Sequence, residues 1–368
     1  MRVRHTLAVV VTLAVAGCDR SPSAPAGGDG QRTRPVDPSI ARAQSTDCPD
    51  RCAYAIDAAT GNAGRRVLRV TEDARLLGSY GDSAGVGVFT WSLRTGTATT
   101  ALRSPAEGLT LSPGHRNGWG QTVGAIGGHA AAWEPDGMPA YLRGAGDARV
   151  VGGAEAINEN SVVAGTGYVE GDSVRRARPF RYHYQDGFQY LSPAGTIGYG
   201  LDVNDAGMIV GAFTCANRCT SGNWFIWTPA GGFRDMGPGW ASAVSEGGHV
   251  VGNKLDGRPF LYTPEGETLL LPNQWEPVEV NEWGEVLLKR ADVYGEPDDV
   301  CGAAVWYKGY GLIELRSPVP GSPVCHISSI NSWGDIAGTV STAPADGSAA
   351  VHTPVVWTWS NNAYRFGR

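Results

Sequence analysis

A unit of about 43 residues recurs seven times along the chain, and it constrains the fold more than any other feature. Each unit opens on a polar residue followed seven residues later by glycine, as in Asn158–Gly165 and Asn204–Gly211; in the sixth copy Leu288 replaces the glycine. We call the polar residues the turn marks and number the repeats 1–7 after them. They are Thr71, Asn117, Asn158, Asn204, Ser245, Asn281 and Asn331. Apolar residues precede the turn mark in six copies and also follow the turn, so we expect two short strands joined by a tight turn that uses side-chain bonds and positive φ angles.

The second half of every repeat carries an aromatic residue followed nine residues later, in six copies, by an apolar one. The aromatics are Trp91, Trp133, Tyr182, Trp227, Tyr262, Trp306 and Trp357. Turn residues such as Pro135-Asp136-Gly137 lie between the two positions, which indicates a second hairpin. Phe366 completes this pattern in repeat 7, so we expect that repeat to supply its own fourth strand. Residues 48–65 are then an extra segment, either an edge strand or a cover over a loop face.

Four short antiparallel strands per unit, repeated seven times, predict an all-β fold of the seven-bladed β-propeller type. One aromatic per unit at a constant position predicts core packing between blades. An open β-solenoid is the alternative, although its repeats are usually shorter.

Three stretches resemble the HAF repeats of exported bacterial proteins: Ile157–Gly165, Val203–Pro229 and Val244–Pro264. The resemblance extends over residues 66–368 and is weakest in repeat 1. It implies a propeller-like array in an exported protein, and it supplies no catalytic residues.

The N-terminus predicts export. Residues 1–17 have a basic start and a short apolar stretch, and Val15-Ala16-Gly17-Cys18 resembles the lipobox of bacterial lipoproteins, in which the cysteine is lipid-modified. Residues 18–47 then form the anchor and a tether rich in Ser, Pro, Gly and Ala, and residues 48–368 form the propeller. This organisation predicts a monomeric lipoprotein at the bacterial cell envelope, held to the membrane by its lipid alone.

Charge and cysteine content narrow the function further. Residues 18–368 contain 28 Lys and Arg against 36 Asp and Glu, which argues against a nucleic-acid partner. Six cysteines besides Cys18 favour disulfides in an oxidising compartment. Local spacing suggests the pairs Cys48–Cys52, Cys215–Cys219 and Cys301–Cys325. Metal or redox roles for the two CxxxC pairs stay open, but no histidine cluster completes a zinc set, so we expect no metal and no cofactor.

Length variation is confined to two kinds of connection. The turn step stays at seven residues in every copy, whereas the span from the second strand to the third runs from 9 to 19 residues, and the span from the aromatic to the next turn mark runs from 18 to 26. In an antiparallel four-stranded blade these two variable connections emerge on the same face. Variable loops on a regular scaffold commonly carry binding sites, although they can also vary without function.

The positions two residues before the turn marks hold Arg69, His115, Ala156, Asp202, Ala243, Glu279 and Ser329. Strand alternation predicts that they line a central channel. Arg69, His115, Asp202 and Glu279 could then support acid–base chemistry, as in a carbohydrate-active hydrolase or lyase, or they could simply be solvated.

Trp119, Trp283 and Trp333 share one position in the turns of repeats 2, 6 and 7. Exposed indoles there could stack on a sugar or an apolar partner, or they could pack on neighbouring blades.

The sequence as a whole predicts a non-catalytic binding or scaffolding module for an envelope glycan or protein. The alternatives are the enzyme described above and a purely architectural role.

Overall fold

The computed structural model of the chain describes residues 51–55, 66–71, 75–82, 85–92, 98–103, 116–134, 139–172, 175–215, 222–290, 300–317, 324–342 and 351–359. The strands in these ranges are β1 (Arg51–Ala55), β2 (Arg66–Val70), β3 (Arg75–Asp82), β4 (Gly85–Ser92), β5 (Ala98–Arg103), β6 (Thr122–Ile126), β7 (His129–Trp133), β8 (Pro139–Tyr141), β9 (Val150–Ile157), β10 (Val163–Val169), β11 (Arg178–His183), β12 (Gly187–Tyr190), β13 (Thr196–Val203), β14 (Ile209–Cys215), β15 (Asn223–Thr228), β16 (Gly232–Val244), β17 (Val250–Lys254), β18 (Pro259–Tyr262), β19 (Thr268–Leu270), β20 (Trp275–Val280), β21 (Val286–Arg290), β22 (Val300–Tyr307), β23 (Gly311–Arg316), β24 (Val324–Ile330), β25 (Ile336–Thr342) and β26 (Val351–Trp359).

The fold is all-β, and its strands pair antiparallel in the order of the sequence repeat. Repeat 1 forms the sheet β2-β3-β4-β5 and repeat 6 forms β20-β21-β22-β23. Repeats 4 and 5 share the 13-residue strand β16, whose first part pairs with β15 and whose last part pairs with β17 in one seven-stranded sheet. Repeats 2 and 3 are joined by a single pairing between His129 and Val151. The hairpin pattern predicted from the sequence is therefore confirmed at the level of the antiparallel sheets.

Helical structure within the described ranges amounts to one 3-10 turn, Ala145–Asp147. The described ranges contain no helix that is long and apolar enough to span a membrane.

The apolar core lies between consecutive repeats rather than inside each one. One cluster joins Ala156 and Val162 of repeat 3 to Ile209 and Trp227 of repeat 4. Equivalent clusters join repeats 2 to 3, 4 to 5, 5 to 6 and 6 to 7. The third-strand aromatics are buried or half-buried at these contacts, as expected from their constant position. Each sheet thus depends on its neighbours for its core.

The last sheet takes its fourth strand from the N-terminal side of the chain. Strand β26 pairs with β25 along one edge and with β1 along the other, with Ala53 opposite Trp357. The expectation that repeat 7 supplies its own fourth strand through Phe366 is therefore wrong, because a strand has only two edges and both are occupied. Of residues 48–65, the part that the structure describes is an edge strand.

Repeat 1 packs against repeat 7. Val67, Val70 and Trp91 form an apolar cluster with Ala337 and Val356. The N–H of Val70 also donates to Ser329 Oγ at 2.6 Å, and the N–H of Val67 donates to Thr339 Oγ1 at 3.0 Å. The two ends of the repeat array are thus in direct contact.

The molecule has two unlike faces. The turns at the marks are tight: in repeat 4, for example, the N–H of Gly207 donates to Asn204 O at 2.9 Å, and Gly207 has a φ of 75°. These turns define the turn face, and the connections from second to third and from fourth to first strands define the loop face. The first strands of repeats 3 to 7 and of repeat 1 contact one another in succession, so they are the inner strands, and we call their uncovered side the inner surface.

Candidate functional site

The turn-mark asparagines each make two kinds of bond. Asn204 Oδ1 accepts from the N–H of Met208 at 2.9 Å and so closes its own turn, while Asn204 Nδ2 donates to the carbonyl of Ser245 in the next repeat at 3.0 Å. The same amide bridge to the next turn mark is made by Asn117, Asn158, Asn281 and Asn331 at 2.7–3.1 Å. The last of these runs from repeat 7 to the carbonyl of Thr71 in repeat 1.

Ser245 and Thr71 show why asparagine matters at this position. Their hydroxyls accept from the N–H groups of His249 and Arg75, both at 3.0 Å, and so still close their own turns. A hydroxyl replaces only the oxygen of asparagine, so neither residue has an amide to donate to the following turn.

A second set of bridges comes from carboxylates one residue after the turn mark. Glu159 accepts from the N–H of Gly118 at 2.7 Å, Asp205 from the N–H of Glu159 at 2.8 Å, and Glu246 from the N–H of Asp205 at 2.7 Å. The sequence reasoning missed this set, although an acidic residue follows the turn mark in five of the seven repeats. The inner end of the turn face is consequently acidic.

Glu246 is the most perturbed carboxyl of this set. Shielding from water by the neighbouring turns raises the pKa of Glu246 to about 7, and the negative charge of Asp205 adds to the shift. The bond from the N–H of Asp205 and the positive charge of Arg69 oppose it. The charge of Arg69, in repeat 1, therefore acts on a turn of repeat 5.

The three predicted tryptophans lie on the turn face, where Trp119, Trp283 and Trp333 are 70%, 39% and 38% exposed. Two of them use the indole N–H as a further bridge: Trp119 donates to Glu159 O at 2.8 Å and Trp283 donates to Ser332 O at 3.0 Å. The indole edge is thus bound to the adjacent repeat while part of the ring meets solvent. Their role in ligand binding stays a prediction.

The residues predicted to line a channel do not do so as a set. Ala156, Asp202, Ala243 and Ser329 are all buried. Asp202 accepts from its own repeat at the N–H of Val203 (2.9 Å) and from repeat 5 at the N–H of Val244 (2.8 Å).

Glu279 makes an equivalent link between repeats by accepting from the N–H of Ile330 at 2.7 Å. Arg69 and Glu279 are half-buried, and His115 lies outside the described residues. The two carboxylates considered for acid–base chemistry therefore each hold a backbone N–H group of the next inner strand.

A β-bulge accounts for the burial of Asp202 and Ala243, which were expected to face a channel. In the inner strands of repeats 1 and 3 to 7 the register shifts two to four residues before the turn mark, for example between Gly200 and Asp202 and between Ala241 and Ala243. The side chains that reach the inner surface instead lie five residues before the mark. Tyr199 and Trp240 are 54% and 42% exposed there.

Repeat glycines make room for this geometry. A Cβ on Gly211 would lie 1.9 Å from the carbonyl oxygen of Tyr199, and one on Gly252 would lie 2.0 Å from that of Trp240. The glycine seven residues after the turn mark thus admits the backbone of the inner strand beside it.

The cysteine predictions are only partly covered by the described residues. Cys18, Cys48 and Cys219 lie outside them, while Cys52, Cys215 and Cys301 are placed by their backbone, at β1, at the end of β14 and in β22. Cys325 in β24 is disulfide-bonded. The pairings stay predictions. In the described ranges no group of three or more His, Cys, Asp and Glu side chains could hold a metal ion.

No protein-family model and no curated protein matches the chain. Among solved structures, a catalytically inactive virginiamycin B lyase from Staphylococcus aureus with quinupristin is 11% identical with a TM-score of 0.53, over 84% of this chain and 99% of that one. An oligogalacturonate lyase from Vibrio parahaemolyticus is 10% identical (TM-score 0.49; 81% and 89%), and apo AztD from Citrobacter koseri is 12% identical (TM-score 0.42; 80% and 89%). At these identities the likeness concerns the fold alone, and the first structure supports a β-propeller-like architecture.

Proposed function

We propose that the chain is a seven-bladed β-propeller with four strands per blade, closed by the N-terminal strand β1. The support comes from the junctions between repeats. Apolar clusters join repeats 2 to 7 in succession and repeat 7 to repeat 1. The remaining junction carries a bond from the Arg116 guanidinium of repeat 2 to Thr90 Oγ1 of repeat 1 at 2.5 Å.

The function that the geometry supports best is non-catalytic binding or scaffolding through the loop face, with an envelope glycan or protein as the partner. One observation carries it: the turn face is cross-linked by side-chain bridges between consecutive repeats, whereas the length variation of the sequence is confined to the loop face. A fixed ring with variable loops on one side suits recognition. The buried, backbone-bound Asp202 argues in the same direction.

The N-terminal sequence supports a location at the cell envelope. We infer that residues 1–17 direct export, that Cys18 carries the lipid, and that the protein resembles exported HAF-repeat proteins. A disulfide at Cys325 fits an oxidising compartment, and Cys301 is its proposed partner. Strand β1 begins at the turn face, because Arg51 lies opposite Trp359 at the end of β26. The tether therefore joins the propeller at its turn face, on the side opposite the loop face.

A crosslinking experiment in cells tests the proposal. A photoreactive amino acid replaces either Leu255, which is 54% exposed in a loop-face turn, or Trp119 on the turn face, in the full chain. We expect a discrete adduct with an envelope component from position 255 and none from position 119. Adducts from position 119 alone, or from neither position, would overturn the binding role assigned to the loop face.

The anchor has its own test. The Cys18→Ser variant should lose incorporation of labelled fatty acid and leave the membrane fraction, while unfolding at the same denaturant concentration as the wild-type protein. Continued labelling of the variant would show that the lipid is attached elsewhere.

A further inference from the structure

Two exposed aromatic side chains occupy equivalent positions on neighbouring inner strands. Tyr199 in β13 and Trp240 in β16 each lie five residues before their turn mark, and they are 54% and 42% exposed on the inner surface. Exposed aromatic rings that lie side by side form an apolar patch, and such patches commonly mark recognition sites. They also differ from the turn-face tryptophans Trp119 and Trp283, whose indole N–H groups are bound to the next repeat.

The register of the two inner strands is fixed close to these rings. Asp202 accepts from the N–H of Val244 at 2.8 Å, and Asn204 Nδ2 donates to Ser245 O at 3.0 Å. The second bond joins the two turn marks themselves, and the first joins positions two and one residues before them. Counting back from the bonded pair therefore brings Tyr199 and Trp240 to the same level on adjacent strands.

Polar side chains continue the row at the same level. Glu276 in β20 and His326 in β24 are the residues five before the turn marks of repeats 6 and 7. Ser242 Oγ, which donates to Pro277 O at 3.5 Å, links repeat 5 to repeat 6, and Glu279 links repeat 6 to repeat 7. Four consecutive inner strands thus present two aromatic rings, a carboxylate and an imidazole in sequence.

The charge of this row favours a ligand that is polar but not anionic. Glu276 forms an ion pair with Lys289 on the adjacent strand at 3.1 Å, and this pair offers both an acceptor and a donor with little net charge. Glu155 adds a further carboxylate to the inner strand of repeat 3. A polyanion would meet these carboxylates and the acidic turns beyond them, whereas hydroxyl groups could both accept and donate here.

We propose that the row Tyr199–Trp240–Glu276–His326 is a binding site for a neutral oligosaccharide, entered from the loop face. The apolar face of a pyranose ring stacks on Trp240 or Tyr199, and its hydroxyls bond to Glu276, Lys289 and His326. The proposal rests on the binding function above and names its ligand class. It places the glycan site on the inner surface rather than at the turn-face tryptophans.

The test is a titration of the mature full-length protein in detergent, read by intrinsic tryptophan fluorescence and by calorimetry. The probes are the N-acetylglucosamine tetramer and maltotetraose, with tetragalacturonate as the anionic comparison. We expect saturable binding of at least one neutral probe and at least tenfold weaker binding of tetragalacturonate. Trp240→Ala and Tyr199→Ala should each weaken the neutral probe at least tenfold.

Trp119→Ala is the matched control, because it removes an even more exposed tryptophan that lies on the turn face rather than on the inner surface. It should leave the affinity within twofold, and denaturant unfolding should show that both tryptophan variants fold. Binding lost in Trp119→Ala and kept in Trp240→Ala would overturn the site. Preference for tetragalacturonate would overturn the charge argument.

The outcome also separates this site from the proposed function. If none of the three oligosaccharides binds while position 255 still crosslinks to an envelope component, the glycan site is wrong and the loop-face function stands. If position 255 gives no adduct and the oligosaccharides also fail to bind, both proposals are wrong.

Discussion

The turn face and the loop face of this molecule are built by opposite means. At the turn face, consecutive repeats are joined through the asparagine amide and through the carboxylate one residue later, as Asn158 and Asp205 show. At the loop face, the connections change length from repeat to repeat, and the side-chain ion pair of Arg258 and Asp256 lies within one turn. Repeats are joined on that face by backbone bonds, such as the one from the N–H of Gly198 to the carbonyl of Ala177 at 3.0 Å. The cost of mutation should therefore differ sharply between the two faces.

The difference has a physical origin. A side chain that bonds to a neighbouring repeat requires a constant turn, since a shift of one residue would leave buried backbone groups without partners. A loop that bonds only within itself tolerates insertions, because loop-closure entropy grows slowly with length. The constant turn length and the variable loop length of the repeats therefore have one cause: side-chain bonds join neighbouring repeats at the turn face.

The largest effect is expected where the repeat array closes. Replacing Arg51–Ala55 in the full chain by five Gly and Ser residues removes the strand paired to β26. The free energy of unfolding should fall by about 4 kcal/mol or more, and the exposed edge should promote aggregation. The same replacement at residues 21–25, within the predicted tether, is the control and should change neither quantity. Denaturant unfolding and light scattering measure both, and an unchanged midpoint after loss of Arg51–Ala55 would contradict closure by β1.

The next effect compares the two faces directly. Asn204→Ala removes one bond within its turn and one to repeat 5, leaving the N–H of Met208 unpaired and the carbonyl of Ser245 with only its bond from the N–H of Gly248. We expect a loss of about 3 kcal/mol. Arg258→Ala at the loop face breaks an exposed pair at 2.7 Å and should cost less than about 0.5 kcal/mol. Similar losses for the two variants, measured by urea unfolding, would remove the distinction between the faces.

A gain of stability is expected where the amide series is interrupted. Ser245→Asn keeps an oxygen for the N–H of His249 and adds an amide that can donate to repeat 6, as the other asparagines do. The free energy of unfolding should rise by about 1 kcal/mol. Ser245→Ala, which loses the acceptor as well, should lower it by a similar amount. A stability order in which the alanine variant equals or exceeds the asparagine variant would mean that the bridge contributes nothing.

The sequence predicted the repeat, the two hairpins and the tight turn, because all three depend on residues close together in the chain. The left-handed conformation of Gly207 and Gly334, with φ of 75° at both, follows directly from the turn pattern. The aromatic at Trp227 also packs between repeats as its constant position suggested. Local spacing is sufficient for features of this kind.

The remaining features depend on the neighbouring repeat. Strict alternation placed Asp202 on a channel, but the bulge beside Gly200 turns it toward the N–H of Val244 and sends Tyr199 to the inner surface. Bulges are not visible in a two-residue period. The pairing of Arg51–Ala55 with β26 was left open between an edge strand and a cover over the loop face, since the two strands lie some 300 residues apart in the chain.

The smallest effect concerns the acidity of the turn face, and it depends on pH. The pKa of Glu246 is about 7 in the folded protein and near its ordinary value of 4.5 when unfolded. The folded state therefore binds the proton more tightly than the unfolded state does. The ionised carboxyl lowers the free energy of unfolding above pH 7, and this destabilisation disappears as the pH falls toward 4.5.

Glu246→Gln keeps an oxygen for the N–H of Asp205 and removes the charge. Because solvent screens the site, we expect a gain of about 1 kcal/mol at pH 8 and almost none at pH 5, measured by urea unfolding. Glu314→Gln, at an exposed position of β23, is the control for the general effect of removing one carboxylate. An equal gain at both pH values would indicate packing rather than charge, and would remove the electrostatic contrast between the turn face and the loop face.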